Sequence, residues 1–293
     1  MSEPTGYTET LRKQTGLRLL VLFFSFFIML ILVGAMTGLI KNIDGVGQRE
    51  AVLLGSGLQC VLAFCLPAWL ASRFASNRPW QYLGMTKRCT PQAVVGVIIV
   101  FIISMPAMNQ LIEWNENIHL PAWGSEIEKT LREWEEMNSG VAATALGAKT
   151  FIQMLAGTAV IGIMTGIGEE MFFRGAMQHI FEDSGVKRWM AVWGAAVIFS
   201  TLHFQFFGFV PRVLMGVFFG YLLVWTGSLW PCILAHALNN STVVVAAWLY
   251  GDPSKAEIIP TAAGAIPWGA IVSGFLTIMF FWKFREVFFK QQS

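Results

Sequence analysis

Two adjacent glutamates and an arginine stand at the end of a long apolar run in this sequence. Glu169 and Glu170 are neighbours, and Arg174 follows four residues after Glu170. Neighbouring residues of a helix point about 100° apart, whereas residues four apart share a face, so Glu170 can pair with Arg174 while Glu169 faces elsewhere. A carboxylate placed between an apolar environment and a cation is suited to act as a general base. The alternative is a charge cluster at the membrane interface.

Two of the four histidines lie inside other apolar runs, and one of them is followed by an asparagine. His236 and Asn240 are four residues apart, so they share a helical face from which both can donate hydrogen bonds to an oxyanion. Taken singly, His203 is equally well explained as a buried core histidine, and His236 with Asn240 as groups that bond neighbouring helices. Taken together, the three segments supply a carboxylate, two imidazoles, an amide and a cation. That set suits activation of water and polarisation of a carbonyl group.

The composition predicts a membrane protein. Of the 293 residues, 55% are hydrophobic and 13% charged, and the mean hydropathy is +0.58, whereas soluble domains are about 25% charged. A helix needs about 20 apolar residues to span a bilayer, and lipid excludes irregular backbone. We therefore predict an all-α, polytopic transmembrane bundle of about eight helices, seven or nine being compatible, in a single integral membrane domain over residues 1–293. The runs are 17–40, 51–72, 92–112, 150–172, 189–209, 210–226, 230–250 and 267–289.

The basic residues predict the orientation of this bundle. Thirteen of the 20 Lys and Arg residues, Arg174 among them, fall on the side of the predicted bundle that carries both termini. Because loops rich in Lys and Arg stay in the cytoplasm, both termini are predicted to be cytoplasmic, in a multi-pass protein of the plasma membrane. The net charge of +2 gives no nucleic-acid footprint.

The longest predicted loop and four glycines are the remaining features of the pattern. Within 113–149, the residues Ile127, Leu131 and Trp134 have the spacing of one helical face, so an amphipathic interfacial helix and a solvated acidic connector are both open. The glycine pairs have GxxxG spacing, which predicts close helix packing rather than chemistry. These pairs are Gly162 with Gly166 and Gly216 with Gly220.

The three polar segments, in this order, resemble the motifs of the CPBP family of intramembrane proteases. This family (CAAX protease and bacteriocin-processing, also called Abi) includes the eukaryotic CAAX prenyl endoprotease. Its pattern EExxxR, FxxxH and HxxxN corresponds here to Glu169-Glu170…Arg174, Phe199…His203 and His236…Asn240. The resemblance covers about residues 150–245, which are the predicted catalytic core. It implies an intramembrane endopeptidase that hydrolyses a peptide bond in a membrane-associated or lipidated peptide or protein.

The resemblance also implies a role for each motif residue. Glu169 would activate water, His203 would hold or polarise that water, His236 and Asn240 would stabilise the oxyanion, and Glu170 and Arg174 would support them. The family is commonly labelled metalloprotease, and two mechanisms stay open. In one, Glu169, His203 and His236 ligate a divalent metal such as zinc, which generates hydroxide. In the other, which we favour slightly, the glutamate acts on water without a metal. The HExxH motif of soluble zinc peptidases does not occur in the sequence.

Two other functions fit the same residues. A non-catalytic membrane scaffold or immunity protein would bind a peptide in the same pocket. A proton-coupled transporter would use Glu169 and the histidines as a relay, although the sequence shows no internal repeat of the kind that many transporters carry.

The predicted depths of two site residues disagree. Glu169 ends the fourth run, whereas His203 lies about 14 residues, or roughly 21 Å, into the next run. Their meeting would require the fifth helix to begin well before Trp189, to tilt, or to border a water-filled cavity.

Overall fold

The computed structural model describes residues 5–251 and 268–289, and within these ranges the regular structure is entirely helical. We number its helices α1 to α10. Their bounds are α1 Thr5–Ile40, α2 Gln48–Arg73, α3 Pro79–Tyr82, α4 Pro91–Glu116, α5 Ser125–Leu146, α6 Phe151–Asp183, α7 Arg188–Thr201, α8 Phe209–Thr226, α9 Trp230–Tyr250 and α10 Trp268–Phe289.

All eight apolar runs form helices, which confirms the predicted all-α bundle. In the described part of the chain, six helices are long and apolar enough to cross a membrane: α1, α2, α4, α6, α8 and α9. Helix α7 has only 14 residues, and α10 has 22. The protein is therefore a multi-pass membrane protein whose fifth apolar segment is too short to span a bilayer as a helix.

Helix α6 is longer than the sequence indicated. The fourth run was predicted to end near residue 172, but the helix continues to Asp183 and has 33 residues. At 1.5 Å per residue it is about 50 Å long, against about 30 Å of hydrocarbon. Its additional turns include Arg174 and Gln178, both fully buried. Arg174 is therefore not a loop cation, and its place in the orientation count was wrong.

The extension of α6 removes the disagreement in depth. Helix α7 begins at Arg188, only one residue before Trp189, so an early start of this helix is not the explanation. Instead, Glu169 lies about 14 residues before the end of α6, and His203 lies about 15 residues after the start of α7. The short connection makes these helices antiparallel neighbours. Both residues therefore lie roughly 20 Å from the same turn.

The four glycines lie where helices approach closely, as their spacing predicted. An added Cβ atom at Gly166 would lie 3.3 Å from the main-chain nitrogen of Ala237 on α9. At Gly216 on α8, it would lie 2.9 Å from the Cβ atom of Ala196 and 3.0 Å from Nη2 of Arg174. Through these contacts α9 packs closely on α6, and α8 packs closely on α6 and α7. Helices α6, α7 and α9 belong to the apolar runs with the polar motifs.

We expect Gly216→Ala to destabilise the bundle by about 1–3 kcal/mol, because the new methyl group overpacks a filled interface. The matched control is Gly274→Ala on α10, where the new Cβ would meet only the Cβ of Ala107 at 3.8 Å. This control should be neutral or slightly stabilising, since alanine favours a helix more than glycine does. Unfolding midpoints in detergent measure both. Equal midpoints for the two variants would contradict the close approach at Gly216.

Helix α5 lies within the longest predicted loop, for which an amphipathic interfacial helix and a solvated connector were both open. Most of the predicted acidic connector is a 22-residue helix. Ile127, Trp134 and Met137 are between 44% and 64% exposed on it, as an amphipathic helix at an interface would have them. The helix covers the end of the bundle where α4 and α9 finish and α6 begins, which we call the distal end.

Candidate active site

Glu170 is the centre of a buried ion network. One of its oxygens, Oε1, accepts hydrogen bonds from Nη1 of Arg174 at 2.8 Å and from Nδ1 of His236 at 2.7 Å. The side chains of Glu170 and Arg174 are fully buried, and His236 is 5% exposed. The predicted pairing of Glu170 with Arg174 is thus confirmed. Because Nδ1 of His236 donates to this carboxylate, Nε2 is the ring nitrogen that is left for chemistry.

Glu169 has a different environment from its neighbour. It is 8% exposed, and its Oε2 lies 3.7 Å from Nε2 of His236. This oxygen is buried and has no hydrogen-bond partner among the described groups. Buried polar atoms are nearly always hydrogen-bonded to protein or water. Oε2 of Glu170 also lacks a partner, but Glu170 is fully buried and its Oε1 is already bonded twice. The carboxylate of Glu169, which is 8% exposed, is therefore the one that can receive a water molecule or a substrate group.

His203 joins this network through an aromatic ring. Its Nδ1 donates to the carbonyl oxygen of Phe199 at 2.7 Å, which leaves Nε2 for chemistry in this imidazole too. The ring of Phe199 lies 4.8 Å from the ring of His203 and 5.9 Å from that of His236. Phe199 thus packs against both imidazoles.

Arg174 is held by α8 as well as by Glu170. Its Nη2 donates to the carbonyl oxygen of Gly216 at 3.1 Å, and its Cζ lies 4.6 Å and 5.3 Å from the ring centres of Phe199 and Phe219. Phe219 also stacks on His236 at 5.4 Å. Gly216 and Phe219 were not predicted from the sequence as parts of the site. Their spacing of three residues places them on one helical face, but this was a weak signal of a site because glycine has no side chain and that of phenylalanine is apolar.

Asn240 is one turn from His236, but its amide does not point at the carboxylates. Its Nδ2 donates to the carbonyl oxygen of Ile161 at 3.2 Å, and its Oδ1 accepts from Nδ2 of Asn239 at 3.2 Å. The structure therefore places Asn240 as a bridge between α9 and α6. As an oxyanion donor it would have to leave the Ile161 carbonyl.

The side chains do not form a metal centre as they lie. In the described part of the chain, no three His, Cys, Asp or Glu side chains are grouped closely enough to hold a metal ion. Of the proposed ligands, His236 and Glu169 are adjacent, whereas the ring contact of His203 is with Phe199. The arrangement of these donors does not fit a three-ligand metal site.

Comparison with known families identifies the helices that carry these residues. Residues 151–242 match the family model described as type II CAAX prenyl endopeptidase Rce1-like. We call residues 151–242 the Rce1-like segment. The Rce1-like segment begins with the first residue of α6 and ends two residues after Asn240, so it contains all seven motif residues. Comparisons with curated proteins and with solved structures found no significant match.

The family match agrees with the resemblance drawn from the motifs. The Rce1-like segment comprises α6, α7, α8 and the first part of α9, and it supports a CAAX-type intramembrane protease fold. Helices α1, α2, α4 and α5 lie outside it. Those outer helices nonetheless pack on the site, as at Gly168 of α6, where an added Cβ would lie 3.1 Å from the carbonyl oxygen of Cys60 in α2.

Proposed function

We propose that this protein is an intramembrane endopeptidase that hydrolyses a peptide bond in a membrane-associated or lipidated peptide or protein. One observation carries the proposal. The buried carboxylate of Glu169 has an oxygen without a hydrogen-bond partner 3.7 Å from an imidazole nitrogen, and a second carboxylate fixes that imidazole from behind. Glu170 already has its own cation and histidine, so Glu169 is the group left to act as a base.

The proposed reaction uses one water molecule. The carboxylate of Glu169 takes a proton from this water, whose oxygen attacks the carbonyl carbon of the scissile bond. His203 holds this water through Nε2, and the resulting oxyanion is stabilised by a hydrogen bond from Nδ2 of Asn240 and, once Nε2 of His236 carries a proton, by that imidazole as well. When the C–N bond breaks, the proton on Glu169 passes to the leaving amine. The carboxylate is thereby regenerated, and the products are a carboxylate and an amine.

The supporting residues hold the second imidazole in place. Glu170 accepts from Nδ1 of His236 and so fixes both the ring orientation and the tautomer, as a carboxylate does for a catalytic histidine in other hydrolases. Arg174 balances the charge of Glu170. Asn240 completes the site in this proposal once substrate displaces its bond to Ile161.

The partners and location follow from the same proposal. The substrate is a membrane-anchored peptide or protein that reaches the site through the bilayer. Nucleic acid plays no part. We propose that the protein lies in the plasma membrane with both termini in the cytoplasm, on the basis of the excess of Lys and Arg on that side.

The direct test is cleavage by the purified protein in liposomes. A panel of peptides with prenylated, acylated and free C-terminal segments is incubated with wild type and with His203→Ala, and the products are identified by mass spectrometry. Wild type should cut at least one lipidated peptide at a single bond, and His203→Ala should not. Equal cleavage by both proteins, or no cleavage of any peptide by wild type, would reject the proposal.

Removal of metal ions tests the two mechanisms left open by the sequence. Because the donor geometry does not fit a metal, we expect wild type treated with a strong chelator to keep its kcat/KM. The control is a soluble zinc peptidase treated in the same way, which should lose activity. If the chelated protein instead loses activity and zinc restores it, Glu169, His203 and His236 are metal ligands and the metal-free mechanism is wrong.

A further inference from the structure

Helix α5 contacts the main chain of the loop that follows His203. Nδ2 of Asn138 lies 3.4 Å from the carbonyl oxygen of His203 and 3.5 Å from that of Phe204. Oε2 of Glu135 accepts from the amide of Phe207 at 3.2 Å. This loop, residues 202–208, is therefore tied to a helix that lies outside the Rce1-like segment.

Helix α4 holds the same loop from the other side. Asn115 is 1% exposed, and its side chain makes two bonds to the loop and the start of α8. Oδ1 accepts from the amide of Val210 at 2.8 Å, and Nδ2 donates to the carbonyl oxygen of Phe206 at 3.3 Å. Val210 is in the first turn of α8, whose N-cap residue Gly208 has no side chain to cap it. Asn115 thus satisfies a helix-terminal amide that would be costly to bury unpaired.

The backbone of the loop requires such outside support. Phe204, the residue after His203, has φ of 52°, in the left-handed region that bulky residues rarely adopt. A conformation of this kind costs about 1–3 kcal/mol and persists only where the surroundings impose it. The strain lies next to the imidazole that faces the site. The bonds from α4 and α5 therefore bear on the position of His203.

We propose that Asn115 and Glu135 are positioning residues for His203, and that α5 is a cap through which the catalytic loop is held in its working conformation. This inference rests on the proposed function, because it assigns a role in the same hydrolysis. It extends the site beyond the Rce1-like segment to Asn115 and Glu135, which lie in the region 113–149 that was predicted as the longest loop. Displacement of an imidazole by about 1 Å can cost about 10²-fold in rate, so a loosened loop should lower kcat more than it raises KM.

Hydrogen bonds hold the first turns of α5 to the chain that precedes this helix. Glu128 accepts a hydrogen bond from the amide of Leu120 at 2.7 Å and from Arg132 at 3.0 Å. These bonds, with His119, lower the pKa of Glu128 from 4.5 to about 2. The contribution of these bonds to folding stability is complete above pH 4.5 and is lost only as the pH falls towards 2. Cζ of Arg132 also lies 3.9 Å from the ring centre of Phe207, in the loop of residues 202–208.

The test compares Glu135→Ala, Glu135→Gln and Glu136→Ala. Glutamine keeps an oxygen that can accept from Phe207, and Glu136 is an exposed neighbour that serves as the matched control. We expect Glu135→Ala to lower kcat by about 10–100-fold, Glu135→Gln to restore most of it, and Glu136→Ala to have no effect. Asn115→Ala should behave like Glu135→Ala. Its control is Asn117→Ala, the exposed C-cap of α4, whose amide bonds the carbonyl oxygen of Glu113 in the same helix and not the loop.

Two readouts that do not need activity complete the experiment. Hydrogen exchange of the peptide covering residues 202–210 reports on the amides of Phe207 and Val210. The rate of carbethoxylation reports on His203. Both rates should rise in Glu135→Ala and Asn115→Ala and not in the controls. Unchanged rates, or raised rates with wild-type kcat, would overturn the positioning role. Absence of cleavage by wild type would instead reject the proposed function, and the exchange rates would still show whether α5 holds the loop.

Discussion

Glu169→Gln should lower kcat/KM for peptide hydrolysis by about 10²–10⁴-fold, the usual contribution of a general base, while the protein stays folded. Glutamine has nearly the same shape but cannot take a proton from water. Because Oε2 of Glu169 makes no hydrogen bond within the described protein, the substitution gives up only the 3.7 Å contact with Nε2 of His236 and removes a buried charge. Stability should therefore be unchanged or higher. The measurements are cleavage of a lipidated peptide in liposomes and the unfolding midpoint in detergent.

Two further variants isolate the role of this carboxylate. Glu169→Asp keeps the base but withdraws it by one methylene group, so it should retain part of the activity. Glu133→Gln, on an exposed face of α5, removes a carboxylate far from the network and should change nothing. Wild-type kcat/KM in Glu169→Gln would show that the base is another residue. A loss of activity together with a large fall in stability would show that Glu169 is structural.

Hydropathy predicted that the apolar runs are helices, but it placed one boundary wrongly. The fourth run was ended near residue 172 because Arg174, Gln178 and Glu182 follow it. In the folded chain these residues form polar contacts within the bundle. Arg174 bonds Glu170 and Gly216, and Gln178 donates to Glu182 at 3.2 Å. A hydropathy count treats each such residue as if it faced lipid, so it cannot see a helix whose polar side chains are paired inside the protein.

Local spacing likewise predicted local contacts and no others. The bond of Glu170 to Arg174 follows from a separation of four residues. The bond of Glu170 to His236 joins residues 66 positions apart, and no periodicity in the sequence indicates which of the two glutamates the histidine meets. The motifs therefore predicted which residues form the site but not which of them contact each other across helices. Which carboxylate accepts hydrogen bonds from Arg174 and His236 is a property of the packed helices.

The role of α5 was not readable from the sequence for the same reason. Its acidic residues are typical of a solvated connector, and Glu135 looks no different from its neighbour Glu136. The distinction arises because one of the two accepts from the amide of Phe207 and the other is exposed. The strained backbone of Phe204 gives no sequence signal either, since phenylalanine has no preference for that conformation.

Arg174→Met should destabilise the protein by about 3–5 kcal/mol, because it leaves the fully buried carboxylate of Glu170 without its cation. The double variant Glu170→Gln/Arg174→Met should recover much of this loss, since no charge is then left unpaired. Both proteins should be less active, because the single variant removes the cation that holds Glu170 and the double variant also replaces the carboxylate to which His236 donates. Unfolding midpoints and free energies of unfolding in mild denaturant measure the difference between the two.

An exposed pair of the same kind gives the control for this prediction. Lys283 and Glu286 on α10 approach to 3.6 Å, but their side chains are 74% and 47% exposed. Lys283→Met should therefore change stability by no more than about 1 kcal/mol. If Arg174→Met were equally mild, water would have to reach Glu170 in place of the guanidinium, and the network would be hydrated rather than dry. If the double variant were no more stable than Arg174→Met, the loss would come from the contacts of Arg174 with Gly216, Phe199 and Phe219 and not from the charge of Glu170.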